Sequence, residues 1–539
     1  MSKVTIEVYR PTGPASATER VTAKGLDRPW DELRFALVDN SKPGAIPLLD
    51  GIADTLGIAD ARRVTIAKQM APKPLDDDER RVIQERCDVA VLAVGNCGSC
   101  CSWTCHDAVK VTADLGIPSV LVVTTPFERI GRQVATSLGY PDLPIVAVEH
   151  PVGLLPYDVV HARGAGAAAA VRDGLLRVAA GVAGDRVAGV GDDELLTVAD
   201  DQAAVDALFL ANWWSDGLPV VAPTRRRVSE MLGRHADRAD EVVGTVATGY
   251  GSATYRAIAV NAVMAGCLPS YFDTLVAAVR AVVDPVFNLH GIQATTHPAG
   301  PMVMVNGPVV GEIGLNAGTN TFGPGYRANA TIGRALRLVL QNVGGSIPGE
   351  TDRATFGHPG KYTNCIAENE AESPWEPFHV SRGHAASAST VSVFGVEGPQ
   401  NMNDAGSTTA DGLLRTFVGC MTSVGANYHQ YDRTEPFVIH SPEHAHTLAQ
   451  AGHTRESLQK YYSENARVPL SAFSPEKVER FLARRRPAWF GPQNTTGYAL
   501  VADHPEDFLI AVAGGPGTHS VLVPTFGPTK AVTVEIDMP

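Results

Sequence analysis

Val89-Ala90-Val91-Leu92-Ala93-Val94-Gly95-Asn96-Cys97-Gly98-Ser99-Cys100-Cys101-Ser102-Trp103-Thr104-Cys105-His106-Asp107 is the stretch on which the fold turns. An apolar, largely β-branched run bounded by Gly95 reads as a strand buried in a sheet. A short loop follows, holding four of the chain's eight cysteines, and then a helical pattern begins. The sequence therefore predicts a thiol site at the carboxyl end of a buried strand.

Working outward, strands are predicted over Thr5 to Tyr9, Leu33 to Val38, Arg63 to Ala67, Ser119 to Val123 and Ile145 to Val148. Helical patterns lie between and after most of them: Pro47 to Leu56, Asp76 to Glu85, Asp107 to Leu115, Pro126 to Leu138, and about Asp158 to Val182. The acidic run Asp76 to Glu79 suits a first helical turn, where the dipole favours negative charge, and Gly116 suits a C′ stop. Strands alternating with helices of this length predict βαβ units in a doubly wound, mainly parallel sheet. Ligands of such sheets sit beyond the carboxyl ends of the strands, where the cysteine loop falls.

The chain has 539 residues, enough for two or three domains. A hydrophobic content of 44% suits buried cores, and a net charge of −13 argues against nucleic acid and anionic membranes as partners. No apolar signal segment follows Met1, and the Ala-rich stretch Ala165 to Val182 carries Arg172, Asp173 and Arg177, so a cytoplasmic protein is expected. The Gly-rich stretch through Gly181 to Gly191 marks a boundary. The expected units are residues 1–190, a thiol domain, and 191–539, a larger α/β or α+β substrate domain that subdivides near 400.

Cys97-Gly98-Ser99-Cys100 is a C-x-x-C motif. In a reducing compartment such a pair reads as chemistry rather than as a structural staple: one thiolate attacks and the other resolves it. A helix start beside Cys97 would lower its pKa. His106 is the first-choice proton partner, Cys101 and Cys105 are further thiols, and Gly98 and Ser99 would lie against a bound group. Four cysteines and a histidine this close also suit zinc or an iron–sulfur cluster, and that alternative stays open. At the same sheet edge, Thr125 before Pro126 and His150 of Glu149-His150-Pro151 are candidate substrate contacts.

Gly95 to Asp107, together with Thr125-Pro126-Phe127 and Asp142-Leu143-Pro144-Ile145-Val146-Ala147-Val148-Glu149-His150-Pro151, resembles the UGSC family over roughly residues 30–180. In that family a selenocysteine or cysteine opens a four-residue motif that ends in Cys. The resemblance makes Cys97 the first motif position and implies a redox or nucleophilic task for it. The C-terminal half looks like the large domain sometimes fused to UGSC modules.

In that half, helices are predicted over Leu195 to Asn212, Arg225 to Leu232, Ala257 to Cys267, Phe272 to Val283 and Thr331 to Val343. Trp213 to Val221 reads as a turn and strand. Three polar clusters supply candidate substrate contacts: His290 and His297; Asn329, in a Gly/Asn-rich loop before a helix; and His358, Lys361 and Glu368. His440 to His446 reads as an exposed turn, with metal binding the alternative, Gly514 to His519 equally as a tight turn or a phosphate or carboxylate loop, and Lys477 to Arg486 as a basic solvated helix. The combined expectation is a thiol-dependent oxidoreductase acting on a small polar or anionic molecule through Cys97 and Cys100. Its electrons would come from an external thiol or a redox partner protein, and a homo-oligomer is compatible. The alternatives are an enzyme making or breaking a carbon–sulfur bond, or a metal-binding or redox-sensing protein.

Overall fold

The computed structural model describes residues 4–14, 21, 23–180 and 195–538. The first strand, β1 (Thr5–Tyr9), stands apart from the main sheet. Then come β2 (Phe35–Asp39), α1 (Ala45–Thr55), β3 (Arg63–Ala67), α2 (Asp77–Arg86), β4 (Val89–Gly95) and α3 (Gly98–Leu115). The unit ends with β5 (Ser119–Thr124), α4 (Glu128–Ser137), β6 (Ile145–Val148) and α5 (Tyr157–Ala179). Five of these strands form one parallel sheet in the order β3-β2-β4-β5-β6.

The sheet is doubly wound because both faces are apolar. Ala90, Leu92, Ala36, Val38, Leu121 and Val123 pack with Ile83, Ile130 and Val134 of α2 and α4. The alternating set Val89, Val91, Phe35, Leu37, Val120 and Val122 packs with Leu48, Ile52, Val160 and Val171 of α1 and α5. The Ala-rich α5 is thus a one-sided core helix, and among the described residues no single helix is long and apolar enough to cross a membrane.

Local chemistry explains the termini. Asp76 accepts the Glu79 N–H at 2.7 Å while Glu79 accepts the Asp76 N–H at 2.8 Å, a reciprocal cap. Gly116 ends α3 at φ 71°, a left-handed position that suits glycine. The start of α3 corrects the sequence reading: the helix opens at Gly98, so the cysteines form a cap and the first two turns, not a loop.

Beyond the gap, β7 (Leu195–Ala199) pairs antiparallel with β1, from Thr5↔Ala199 to Tyr9↔Leu195, and α6 (Gln202–Ala211) follows. The predicted helix from Leu195 was therefore half strand: over five residues an apolar run fits either state, and a partner 190 residues away decides. Val8 and Tyr9 join the C-terminal core. The predicted boundary at 181–191 and the acidic opening Asp192-Asp193-Glu194 lie outside the described residues. No strand forms within Trp213 to Val221.

Among the described residues, the rest holds two smaller hydrogen-bonded strand pairs, helices and two four-stranded sheets. One orders Cys365–Ala367, Gly300–Asn306, Thr390–Val396 and Val532–Glu535; the other orders Gln400–Asn403, His519–Val523, Phe437–His440 and Leu509–Val512. Met304, Phe394, Phe437 and Leu509 pack between them. His440 and His444 are buried and bonded around Ser520, at 3.5 and 2.8 Å, so the exposed turn expected there is core.

Candidate thiol site at the sheet edge

The chain leaves β2 toward β3 on one side and reaches β4 on the other, so the loops after β2 and β4 diverge at the carboxyl edge, the place where such sheets hold their ligands. Cys97 caps α3 after β4, and Lys42 follows β2. Asn40 ties the two loops, donating to the Val94 carbonyl at 2.8 Å and to Thr104 Oγ1 at 2.9 Å. The Lys42 ammonium lies near enough to the Cys97 sulfur to favour its thiolate.

Cys97 is partly open to solvent, whereas Cys100 is fully buried. The Cys97 N–H donates to Cys100 Sγ at 3.0 Å, and the Cys100 thiol donates to the Cys97 carbonyl at 3.1 Å. A hydrogen bond from Cys100, the Lys42 ammonium and the Cys100 N–H together outweigh burial and bring the Cys97 thiol down to about 5. Burial and the neighbouring Cys97 push Cys100 up. The pair thus carries one thiolate, on the exposed sulfur, and one buried thiol.

Cys101 and Cys105 are not part of this pair. Each is fully buried, donating to the Phe127 carbonyl at 3.3 Å and the Gly131 carbonyl at 3.1 Å, and burial raises both thiols. They pack α3 on α4. Among the described residues no three His, Cys, Asp or Glu side chains converge as a metal site. His106 is also displaced from its expected role. It lies nine residues beyond Cys97, about 13 Å along the helix axis, against Trp103 and Asp107. The group beside the thiol is Lys42.

Gly98 is needed for a close approach, but to the chain itself: a Cβ there would fall 1.6 Å from the Ala294 carbonyl oxygen. Ser99 is buried in the first turn. Thr125 is exposed at the neighbouring edge. His150 does reach that edge, bonding Thr124 Oγ1 at 3.0 Å beside Phe127.

The three candidate histidines of the C-terminal half each make a hydrogen bond within the fold. His290 bonds Ser102 and, at 2.8 Å, Tyr250, and stacks on Trp103 at 4.4 Å. Burial takes its pKa down to about 3, so it is a neutral post between helix Leu289–Ala294 and α3, not a substrate contact. His297 bonds Glu397 at 2.6 Å. His358 accepts the Gly360 N–H at 3.2 Å, and Lys361 pairs with Asp352 at 2.7 Å. The cavity bounded by Lys361, Asp352 and Arg337 measures about 20 Å³, room for one water molecule. Asn329 spends its amide on Asn316 and the Cys365 carbonyl, closing the loop expected to cradle an anion. These residues do not meet Cys97 in any hydrogen bond or ion pair among the described residues.

Glu368 is buried too, accepting from Asn306 and the Phe378 N–H, both at 2.6 Å, and burial raises it from 4.5 to about 7. Between those values the folded state holds a proton that the unfolded chain has released. Its contribution to stability is present at low pH and is lost as pH rises through 7. Glu368→Gln keeps the shape without the charge. Urea denaturation should show it about 3 kcal/mol more stable than the parent at pH 8 and nearly equal at pH 4. Equal curves at both values would contradict this.

Sequence reasoning missed Lys42, Arg353, Tyr431 and the strap Pro475–Arg485. Lys42 was legible by the rule that found Cys97, since it follows an adjacent parallel strand. The basic run around the strap was read as solvated. It instead winds through a π-helical turn, Val478–Leu482, and crosses back to the N-terminal unit. Arg480 donates to the Gly153 and Leu155 carbonyls at 3.0 and 3.1 Å, Arg484 pairs with Asp39, and Arg485 bonds Ser41. On the other flank Arg353 lies over the Phe127 ring at 5.5 Å.

Residues 7–177 match the UGSC family. No curated protein and no solved structure matches the chain.

Proposed function

From this UGSC-family stretch at the N-terminal end of the chain, we propose that the protein is a cytoplasmic thiol-dependent oxidoreductase of small molecules. Cys97 is its nucleophile and Cys100 its resolving thiol. The observation that carries the reading is the asymmetry of the pair: a partly open sulfur beside the Lys42 ammonium, backed by a buried thiol in hydrogen-bond contact with the Cys97 backbone. Eight free cysteines support a reducing compartment.

In the proposed reaction the Cys97 thiolate attacks an electrophilic centre X of a substrate X–Y. A Cys97–X bond forms and Y leaves with its electron pair, taking a proton from Lys42. The neutral Lys42 amine accepts the proton of Cys100. The Cys100 thiolate then attacks the Cys97 sulfur, expelling X with an electron pair. The substrate has gained two electrons and the enzyme holds a disulfide, which a small-molecule or protein dithiol reduces.

The test is brief peroxide treatment followed by peptide mapping. A Cys97–Cys100 disulfide is expected in the parent. Cys100→Ser should instead accumulate sulfenic acid on Cys97, trapped by a sulfenate-selective reagent. Oxidised Cys97 alongside a free Cys100 thiol in the parent would overturn the reading.

A further inference from the structure

The strap brings a row of cations to the thiol edge, and they are not equally matched. Arg480 pairs with Glu476 at 3.0 Å, Arg484 with Asp39, and Arg486 with Asp503. Arg485 has no carboxylate partner among the described residues. Its Nη2 donates to the Ser41 carbonyl and hydroxyl at 3.3 and 3.2 Å, while Nε and Nη1 are buried with no hydrogen-bond partner. The guanidinium is fixed between Phe481 and Tyr431, 4.6 and 5.2 Å from their ring centres.

Its position relative to the sulfur follows from Ser41, the residue before Lys42. Arg485 and Lys42 repel one another, and Lys42 also feels Cys97, Cys100 and Tyr431. Lys42 thus lies between the thiolate, which it favours, and a second cation, which it repels. A guanidinium with two desolvated nitrogens is costly without an anion, and a built, aromatic-lined holder is a poor way to store one.

We infer that Arg485 is an anion clamp, and that the substrate is a small molecule carrying a compact oxyanion, which Arg485 binds while Cys97 attacks its electrophilic atom. This rests on Cys97 being the nucleophile. The oxyanion neutralises the second cation, and the guanidinium recovers the donors' lost hydrogen bonds. Because Arg485 arrives from the C-terminal part, the substrate would be gripped by both parts of the chain at once.

The experiment compares alkylation of Cys97 by iodoacetate, which carries the oxyanion, with alkylation by uncharged iodoacetamide. Both are normalised to the same pair of rates for N-acetylcysteine. The parent should favour iodoacetate, and Arg485→Gln should lower that preference roughly tenfold or more, the worth of a charged hydrogen bond. A measurement without a variant stands beside it: acetate or inorganic phosphate should slow labelling of parental Cys97 by iodoacetamide. Protection by acetate alone marks a carboxylate substrate, and protection by phosphate alone a tetrahedral oxyanion. No preference and no protection overturn the clamp. If iodoacetamide itself fails to label Cys97 below pH 7, it is the nucleophile assignment that falls.

Discussion

At pH 6, iodoacetamide is expected to label Cys97 roughly 15-fold faster than an ordinary thiol. With its pKa near 5, about nine-tenths of Cys97 is thiolate at that pH; a thiol at 9.0 is about one-thousandth ionised. The gain in thiolate is nearly a thousandfold. Nucleophilicity falls with basicity, and at a slope of about 0.45 four pKa units cost roughly 60-fold, so the thiolate fraction wins. Cys420 provides an internal reference, since it is also partly exposed but burial raises its pKa. Cys97→Ser should abolish labelling at pH 6. Lys42→Met should move the labelling midpoint up by about one to two pH units, because the ammonium is one of the groups holding the proton off. A parental midpoint near that of Cys420, or one indifferent to Lys42, would remove the basis for a nucleophile at this edge.

The sheet was legible because its signals are local. Val89 to Val94 is apolar at every position, so it could be a strand only in a sheet covered on both faces, and both faces are covered. The position of Cys97 at the carboxyl edge followed from strand order and needed no side-chain detail. The start of α3 was misplaced because Gly98, Ser99, Cys100 and Cys101 are poor helix formers. Reciprocal bonds between Cys97 and Cys100 and docking against Ala294 override that propensity. The strap was illegible for a different reason. Nothing in Arg480 to Arg485 distinguishes a solvated basic face from one that crosses to Gly153, Asp39 and Ser41, more than 300 residues away. The polar clusters misled in the opposite direction. His290, His297 and Asn329 have the composition of a site, but each spends its hydrogen bonds inside the fold.

Gly98→Ala is expected to be the most damaging single-methyl substitution in the N-terminal unit, lowering stability by about 3 kcal/mol or more. Ordinarily Gly→Ala in a helix is favourable, by roughly 0.5–1 kcal/mol, and Gly166 on the exposed side of α5, with nothing within 4 Å, should show that gain. At Gly98 the sign reverses because the obstacle is backbone. The new methyl would sit 1.6 Å from the Ala294 oxygen and 3.0 Å from Arg353 Cβ, and neither can rotate away. Helix Leu289–Ala294 would have to lift from α3. Lifting it breaks the His290 contacts with Ser102 and Trp103 and the 3.1 Å bond from Trp103 to Asn288. Thermal unfolding of the two alanine variants should therefore move in opposite directions. Hydrogen exchange in Gly98→Ala should quicken first in α3 and Leu289–Ala294. Gly98 directly follows the Cys97 cap, so a displaced start of α3 should also cost the variant its low-pH labelling of Cys97 before it unfolds. A stable Gly98→Ala with normal labelling would mean that the two parts of the chain do not meet as tightly as this contact requires.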